Sequence, residues 1–242
     1  RCGDLEQAVV SAVLRMFDRA CAKDNIDLRW RVELAYAVGL MVTDGNLSKD
    51  GRHLAFVSKD IEQIKNFNKC FGINPKLGRT VSGYNGKNYH RVQLGSVVLC
   101  NFLLSIGLMP AKSKIIGKVL IPDKFFWDYL RGCFDGDGCF YSYWDPRWRS
   151  SHMFYVEFVS ASQKYILLLQ KIIRSKLNIK GHITKDRRKF TYQLKYAKRE
   201  SLEIIKKICD NPRGVCLSRK RKKIETALII ERKQQKLYAR VS

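Results

Sequence analysis

The chain has 242 residues, 45% of them hydrophobic and 11% aromatic, so it can bury a substantial core and is not expected to be disordered. Lysine and arginine number 46 against 22 acidic residues, and the resulting net charge of +24 predicts a polyanionic partner. Nucleic acid fits this charge best because its phosphates reward many basic contacts, although a membrane surface also attracts basic proteins. Apolar runs stay well below the ~18–20 residues that a membrane span needs.

The first part of the chain is predicted to alternate helices and strands. Helical spacing of apolar residues predicts helices at 4–23, 30–43, 60–71 and 96–106, with Asp60 as the N-cap of the third. Strand-like segments lie at 54–58, 76–81 and 87–94, and the glycine-containing turn at 82–86 separates the last two.

The pattern then starts again. Helices are predicted at 124–134, 162–176 and 199–209, and strands at 139–144, 153–160, 181–185 and 189–196. The letters repeat as well, because Phe-Val-Ser at 56–58 recurs at 158–160. We therefore predict a mixed α/β (α+β) fold of two pseudo-symmetric αββαββα units at 29–120 and 121–242, preceded by a helical extension at 1–28.

The two helices that open the units end in similar nine-residue motifs, AVGLMVTDG at 37–45 and LRGCFDGDG at 130–138. Both resemble the LAGLIDADG signature of a homing endonuclease family, in its single-chain form with two motifs, as associated with introns and inteins. One motif alone is weak evidence, since an Asp-Gly helix end is common. Two motifs 93 residues apart, each followed by the same pattern of elements in a basic chain, are strong evidence.

The residue types in the motifs have physical reasons. Gly39 and Gly132 lack side chains, so two helices can approach backbone to backbone and join the two units. The sheets of the paired units, each with one face on the helices and the other basic, would then form a basic β-saddle. Asp44 and Asp137 would then emerge side by side, where two carboxylates repel each other unless cations lie between them. Such oxygen ligation suits Mg²⁺, with Mn²⁺ or Ca²⁺ able to replace it for binding. The predicted metal site comprises Asp44, Asp137 and the adjoining Thr43 and Gly136. Asp135 is expected to support the helix end.

Lysines are expected to complete the catalytic set. The segment MPAKSK at 109–114 resembles a block that precedes the second motif in intein-type relatives, where a lysine lies near the scissile phosphate; Lys112 is the matching residue. Its counterpart in the second unit would be Lys220, within a run of basic residues. Phosphate clamping or simple solvation is the alternative for both. Lys59 is a further candidate, but the second unit has Ala161 in its place.

DNA would be read by the strands. A strand of ~10 residues spans ~33 Å, so one sheet covers roughly 10 base pairs and two sheets cover ~20. The predicted DNA contacts are Lys59, just after a strand, and residues on the strand faces turned away from the helices: Arg79, Arg91, Gln93, Arg187, Gln193 and Lys195. A shift of one residue in strand register would invert this set. Aromatic residues in the strand regions, such as Tyr141 and Tyr143, could contact sugar and base edges, although packing is the commoner role.

The resemblance implies a monomeric, Mg²⁺-dependent endonuclease that cuts both strands of an asymmetric DNA site across the minor groove and leaves short 3′ overhangs. Other proteins that resemble the family are RNA maturases, or transcription regulators without the acidic residues, so a non-cutting binder stays open. Eight cysteines without a Cys-x-x-Cys pair, most of them within apolar stretches, indicate buried, reduced thiols in an intracellular, non-secreted protein. Four scattered histidines give no metal-type spacing.

Overall fold

The computed structural model describes residues 26–81, 86–148, 151–210 and 214–241, and within them two units of the same design follow each other. The first unit contains α1 (Val32–Thr43), β1 (Gly45–Leu47), β2 (His53–Ser58), α2 (Ile61–Phe71), β3 (Gly78–Val81), β4 (Asn88–Gly95) and α3 (Val97–Ser105). The second contains α4 (Phe126–Asp135), β5 (Cys139–Trp144), β6 (His152–Ser160), α5 (Gln163–Leu177), β7 (His182–Asp186), β8 (Thr191–Tyr196), α6 (Lys198–Ile208) and α7 (Ser218–Val241). Short 3₁₀ helices at Lys112–Lys114 and Asp123–Phe125 lie in the connection between them.

The two sheets have the same topology. Each has four antiparallel strands, in the orders β1-β2-β4-β3 and β5-β6-β8-β7. The register is also equivalent at the start of each sheet, since Asn46 pairs with Ala55 and the corresponding residues of the second sheet, Cys139 and Glu157, also pair. The predicted mixed α/β fold of two αββαββα units is confirmed. The exact domain boundaries stay a prediction.

Most predicted elements match the observed ones to within a few residues. Strand β1 was not predicted, because its three residues are too few to show an alternation of apolar and polar side chains. The predicted strand at 189–196 begins later, at Thr191, because 187–190 form a turn. The predicted helix at 4–23 lies outside the described residues, although Ile26 and Leu28, at the end of the expected extension, are buried in the core.

The core lies between the helices and one face of each sheet. Alternate residues of β2 are buried, and Phe56 stacks on Phe67 of α2 with ring centroids 4.4 Å apart. The six cysteines in the described ranges are free thiols. The prediction of buried thiols is right for Cys70, Cys100 and Cys133, but Cys139 is exposed.

The long helix α7 was not predicted from the sequence. Its inward positions, 220, 224, 227 and 231, recur at helical spacing and are buried. At its start Arg219 bonds the carboxylate of Asp60 at 2.7 Å, so Asp60 stands at the N-cap of α2 without capping it through its side chain. This ion pair joins the second unit to the first. Although α7 has 24 residues, neither it nor any other helix within the described ranges is long and apolar enough to cross a membrane.

Candidate active site at the paired helix ends

The helices α1 and α4 cross in direct backbone contact. A Cβ atom added to Gly39 would lie 2.7 Å from the backbone nitrogen of Cys133 and closer still to the carbonyl oxygen of Tyr129. A Cβ atom on Gly132 would likewise meet the Gly39 Cα at 3.0 Å and the Tyr36 carbonyl at a shorter distance. Only glycine fits at both positions, and the two motif helices therefore end next to each other.

Asp44 and Asp137 lie together where these helices end. Gly136, which precedes Asp137, packs against Thr43, and a Cβ atom there would lie 2.9 Å from Oδ2 of Asp44. Burial raises the pKa of Asp44 to about 7, and the negative charge of Asp137 adds to the rise. Desolvation by the surrounding protein also raises the pKa of Asp137, against the opposing charges of Lys220 and Lys112. The two lysines offset the cost of burying this pair only in part, and a cation between the carboxylates would stabilise their charged forms.

The two predicted lysines occupy equivalent positions beneath the motif turns. Lys112 is 5% exposed and its Nζ donates to the carbonyl of Gly45. Lys220 is 6% exposed, and its Nζ donates to the carbonyl of Gly138, the matching glycine, at 2.6 Å. Burial lowers the pKa of each lysine to about 8, while the nearby aspartates oppose that fall. Simple solvation is therefore excluded for both.

Lys220 also organises the end of α4. Besides Gly138, its ammonium group lies within 3.0 Å of the carbonyl oxygens of Phe134, Asp135 and Gly136. These carbonyls belong to the last turn of α4, where no intrahelical donor is available and a cation is favoured. Lys220 thus fixes the turn that carries Asp137.

Asp135 has a different environment from the paired aspartates. It is 2% exposed and accepts hydrogen bonds from the Tyr36 hydroxyl at 2.8 Å and from the Leu217 backbone nitrogen at 2.7 Å. Burial raises its pKa, whereas these two donors lower it. The carboxylate ties α4 to α1 and to the start of α7, in keeping with the support role expected for it.

Gln63 is a site residue that the motifs do not reveal. Its Nε2 lies 3.4 Å from Oδ2 of Asp44, and its Oε1 accepts from the Ser58 hydroxyl at 2.6 Å. Gln63 is 3% exposed and shares the buried stripe of α2 with Ile64 and Phe67. A polar residue on an otherwise apolar helix stripe is the sequence signal that could have found it.

The donor set fits a hard divalent cation. Asp44 Oδ2 receives only long contacts, 3.4 Å each, from Thr43 Oγ1 and Gln63 Nε2, so it can still coordinate a metal. Carboxylate oxygens, completed by water and phosphate, are what Mg²⁺ prefers. Among the described residues no group of three or more His, Cys, Asp or Glu side chains is placed to hold a metal.

Comparison with known proteins identifies this architecture. Residues 126–209 match the family model described as the WhiA LAGLIDADG-like domain. By structure, the chain is similar to full-length DUF199/WhiA from Thermatoga maritima, with 16% identity and a TM-score of 0.53 over 98% of this chain and 72% of that one. The chain has the LAGLIDADG fold. No curated protein matches it by sequence.

Two homing endonuclease structures have the same fold. The endonuclease I-WcaI bound to its DNA recognition sequence is 15% identical with a TM-score of 0.55, covering 80% of this chain and 88% of that chain. The meganuclease I-SmaMI bound to uncleaveable DNA with a TTGT central four is 14% identical with a TM-score of 0.58, covering 82% of this chain and 90% of that chain. At these identities the likeness shows the LAGLIDADG fold alone.

In this LAGLIDADG fold, each sheet turns one face away from the helices. Four of the predicted DNA contacts lie on those outer faces: Arg91, Gln93, Gln193 and Lys195. Their strand neighbours Val92 and Leu194 are buried on the helix side. These four side chains are therefore turned away from the core and available for contact with a ligand.

The other predicted contacts lie elsewhere. Arg79 pairs with His90, which shares the helix side with Val92, so its assignment to the outer face is wrong by one residue. Arg187 is exposed in the turn between β7 and β8, not on a strand as predicted. Lys59 is exposed directly after β2, within the loop that leads to α2 and Gln63.

Proposed function

We propose that this protein is a site-specific endonuclease that cuts both strands of DNA with the help of Mg²⁺. The observation that carries the proposal is the pair Asp44 and Asp137 at the crossing of the motif helices, with buried Lys112 and Lys220 on equivalent sides. A protein that only binds DNA gains little from paired carboxylates facing phosphates, because like charges repel. The same pair is what metal-assisted hydrolysis requires.

Each residue has a role in this proposal. Asp44 and Asp137 would hold the divalent cation, which supplies a polarised water and stabilises charge on the phosphate. Loss of the Asp44 proton is favoured once a cation is bound, since the pKa of about 7 is set by burial and by the neighbouring carboxylate. Lys112 and Lys220 keep positive charge close to the pair and hold the turns that position it. Gln63 orients a carboxylate oxygen of Asp44.

The sheets would bind the duplex on either side of the pair. A net charge of +24 supplies the attraction to phosphates, and outward residues such as Arg91 and Gln93 suit guanine and adenine edges in the major groove. Because the two units differ in sequence, the target is asymmetric and covers roughly 20 base pairs. Cleavage across the minor groove between the half-sites, with short 3′ overhangs, follows from the resemblance to homing endonucleases. A monomer suffices because both motifs lie in one chain.

A non-cutting binder of DNA or RNA is the second candidate. The family model that matches residues 126–209 favours this candidate, because its description is a WhiA LAGLIDADG-like domain and does not name an endonuclease. That range includes Asp137 but neither Asp44 nor the two lysines, so the match does not bear on the complete site. Retention of both aspartates is the feature that separates the candidates.

The deciding experiment compares aspartate variants on a selected target. A randomised duplex library would be enriched by binding in Ca²⁺, and the selected duplex would then be incubated with Mg²⁺. Asp44→Asn and Asp137→Asn should each slow cleavage by roughly 100-fold or more, because a metal ligand contributes several kcal/mol. Binding should persist or tighten, since a negative charge facing the phosphates is lost. Asp123→Asn, at an exposed carboxylate paired with Lys176, is the control.

The outcomes separate the candidates. Cleavage by the wild type that both site variants lose supports the nuclease. Tight binding of a selected duplex without any cleavage in Mg²⁺ or Mn²⁺ would assign the protein to the non-cutting class. Full cutting by either variant would refute the roles of the aspartates.

A further inference from the structure

Three tyrosines form a stack on the outer face of the second sheet. Tyr141 and Tyr155 are directly paired across β5 and β6, with ring centroids 5.2 Å apart and planes within 16°. The ring of Tyr143 is also nearly parallel to that of Tyr155, with centroids 6.2 Å apart and planes within 6°. Tyr141 and Tyr143 are 36% and 42% exposed, so the stack presents aromatic surface away from the helices.

The first sheet differs at the corresponding end. Aligning the two motifs matches Ser48 and Asp50 with Tyr141 and Tyr143, but β1 ends at Leu47, so these two residues lie in the turn that leads to β2 and His53. Asp50 bonds the His53 ring at 2.6 Å. These polar residues line a recess of about 240 Å³, together with Asn46, Arg91 and Gln93. The corresponding ends of the two sheets therefore present different chemistry.

The neighbours of the tyrosines reinforce this difference. Tyr143 pairs with Met153 across β5 and β6, which adds another apolar side chain to the same face. Lys195, on the same outer face, lies 3.8 Å from the carboxylate of Glu157, so part of its charge is neutralised within the protein. A cross-strand tyrosine pair does stabilise a sheet, but one pair would serve that purpose. The third exposed ring enlarges an apolar surface in a strongly basic protein.

We infer that the second unit recognises its half of the target through thymine methyl groups packed against this tyrosine stack. The inference rests on the proposed binding of duplex DNA. In the major groove the thymine C5-methyl is the apolar feature of the base edges, and apolar side chains read it by contact. The polar recess of the first unit suits hydrogen-bonded reading of base edges instead.

The chain also sets where those thymines lie. Tyr141 and Tyr143 follow Asp137 by four and six residues along an extended strand. At ~3.3 Å per residue these positions lie about 13 and 20 Å from the aspartate pair. At ~3.4 Å per base pair, the recognised thymines lie roughly 4 to 6 base pairs from the centre of the site, on the side bound by the second unit.

The test replaces thymine by uracil, which removes only the methyl group, in the duplex selected from a randomised library. Uracil at the thymines 4 to 6 base pairs from the centre should weaken binding about fourfold for each methyl, the effect of a buried methylene-sized group. Uracil in the half bound by the first unit should have no effect. Wild-type protein is used throughout this comparison, so folding does not affect it.

Protein variants then assign the effect to the stack. Tyr141→Ala and Tyr143→Ala should bind thymine and uracil duplexes equally, while Leu167→Ala, which removes an exposed apolar side chain from α5, should keep the fourfold difference. A selected site without thymines in that interval, or one insensitive to uracil, would overturn the inference and leave DNA binding intact. Tighter binding of single strands than of duplex would also overturn it and assign the rings to unpaired bases. Failure to select any DNA would instead refute the proposed function.

Discussion

Gly39→Ala tests the helix contact on which the whole site depends. The added Cβ atom would lie 2.7 Å from the backbone nitrogen of Cys133, closer still to the Tyr129 carbonyl, and 2.8 Å from the Cα of Gly132. All three neighbours are backbone atoms of α4, so rotation of a side chain cannot relieve the overlap. The helices must separate by roughly 1 Å to restore ordinary contact.

That separation has an energetic and a functional consequence. Overpacking of a well-packed contact costs about 3 kcal/mol, at the upper end of the usual range because backbone must move. For a chain of this size the melting temperature should fall by roughly 6–12 °C. The carboxylates of Asp44 and Asp137 follow the helix ends, so cleavage should decrease by more than the loss of folded protein explains.

Gly95→Ala is the matched control. Gly95 ends β4, and a Cβ atom there would meet His53 at 3.5 Å, an ordinary contact distance. Urea unfolding measures the stability of both variants, and cleavage is measured at a temperature where both are folded. Equal stabilities for the two variants, with unchanged cleavage by Gly39→Ala, would refute the reasoning that backbone contact joins the units.

Two further predictions concern the charged residues of the site. Lys220→Met should lower the free energy of unfolding by roughly 3 kcal/mol more than Lys112→Met, because the three N–H donors of Lys220 are shared among four nearby carbonyls, whereas Lys112 donates to the carbonyl of Gly45. Equal losses by urea unfolding would contradict this. Because the pKa of Asp44 is raised from 3.8 to about 7, protonation favours the folded state, so this residue should make metal-free protein less stable as pH rises from about 4 to about 7. Asp44→Asn should flatten that decline in a series of unfolding curves; identical pH profiles for the variant and the wild type would contradict it.

The fold was predictable because the chain contains two copies of the same sequence of elements. Either nine-residue motif alone fits an ordinary helix end. Two motifs that are each followed by the same order of helices and strands indicate two copies of one supersecondary unit. The strand faces were less predictable. Arg79 was placed on the wrong face because β3 has only four residues and its pairing with His90 is set by the neighbouring strand.

The site was predicted in part. The motif glycines and aspartates meet, and Lys112 and Lys220 lie in equivalent places beneath them. The interior position of Lys220 follows from α7, a helix that the basic run at 219–223 concealed. Within a run of five cations, helical spacing of buried residues becomes visible only when the following apolar residues are read together with it.

By itself, the amino-acid sequence determined the duplicated architecture, the basic charge and the positions where only glycine permits close helix contact. These properties depend on residue type and periodicity, which are local features that can be recognised from the order of residues along the chain. The tertiary structure decided which cations are buried under the turns, how Gln63 reaches Asp44, and that tyrosines cover one outer sheet face while polar groups cover the other. Such contacts join residues far apart in the chain, and their geometry is set by strand register and helix packing.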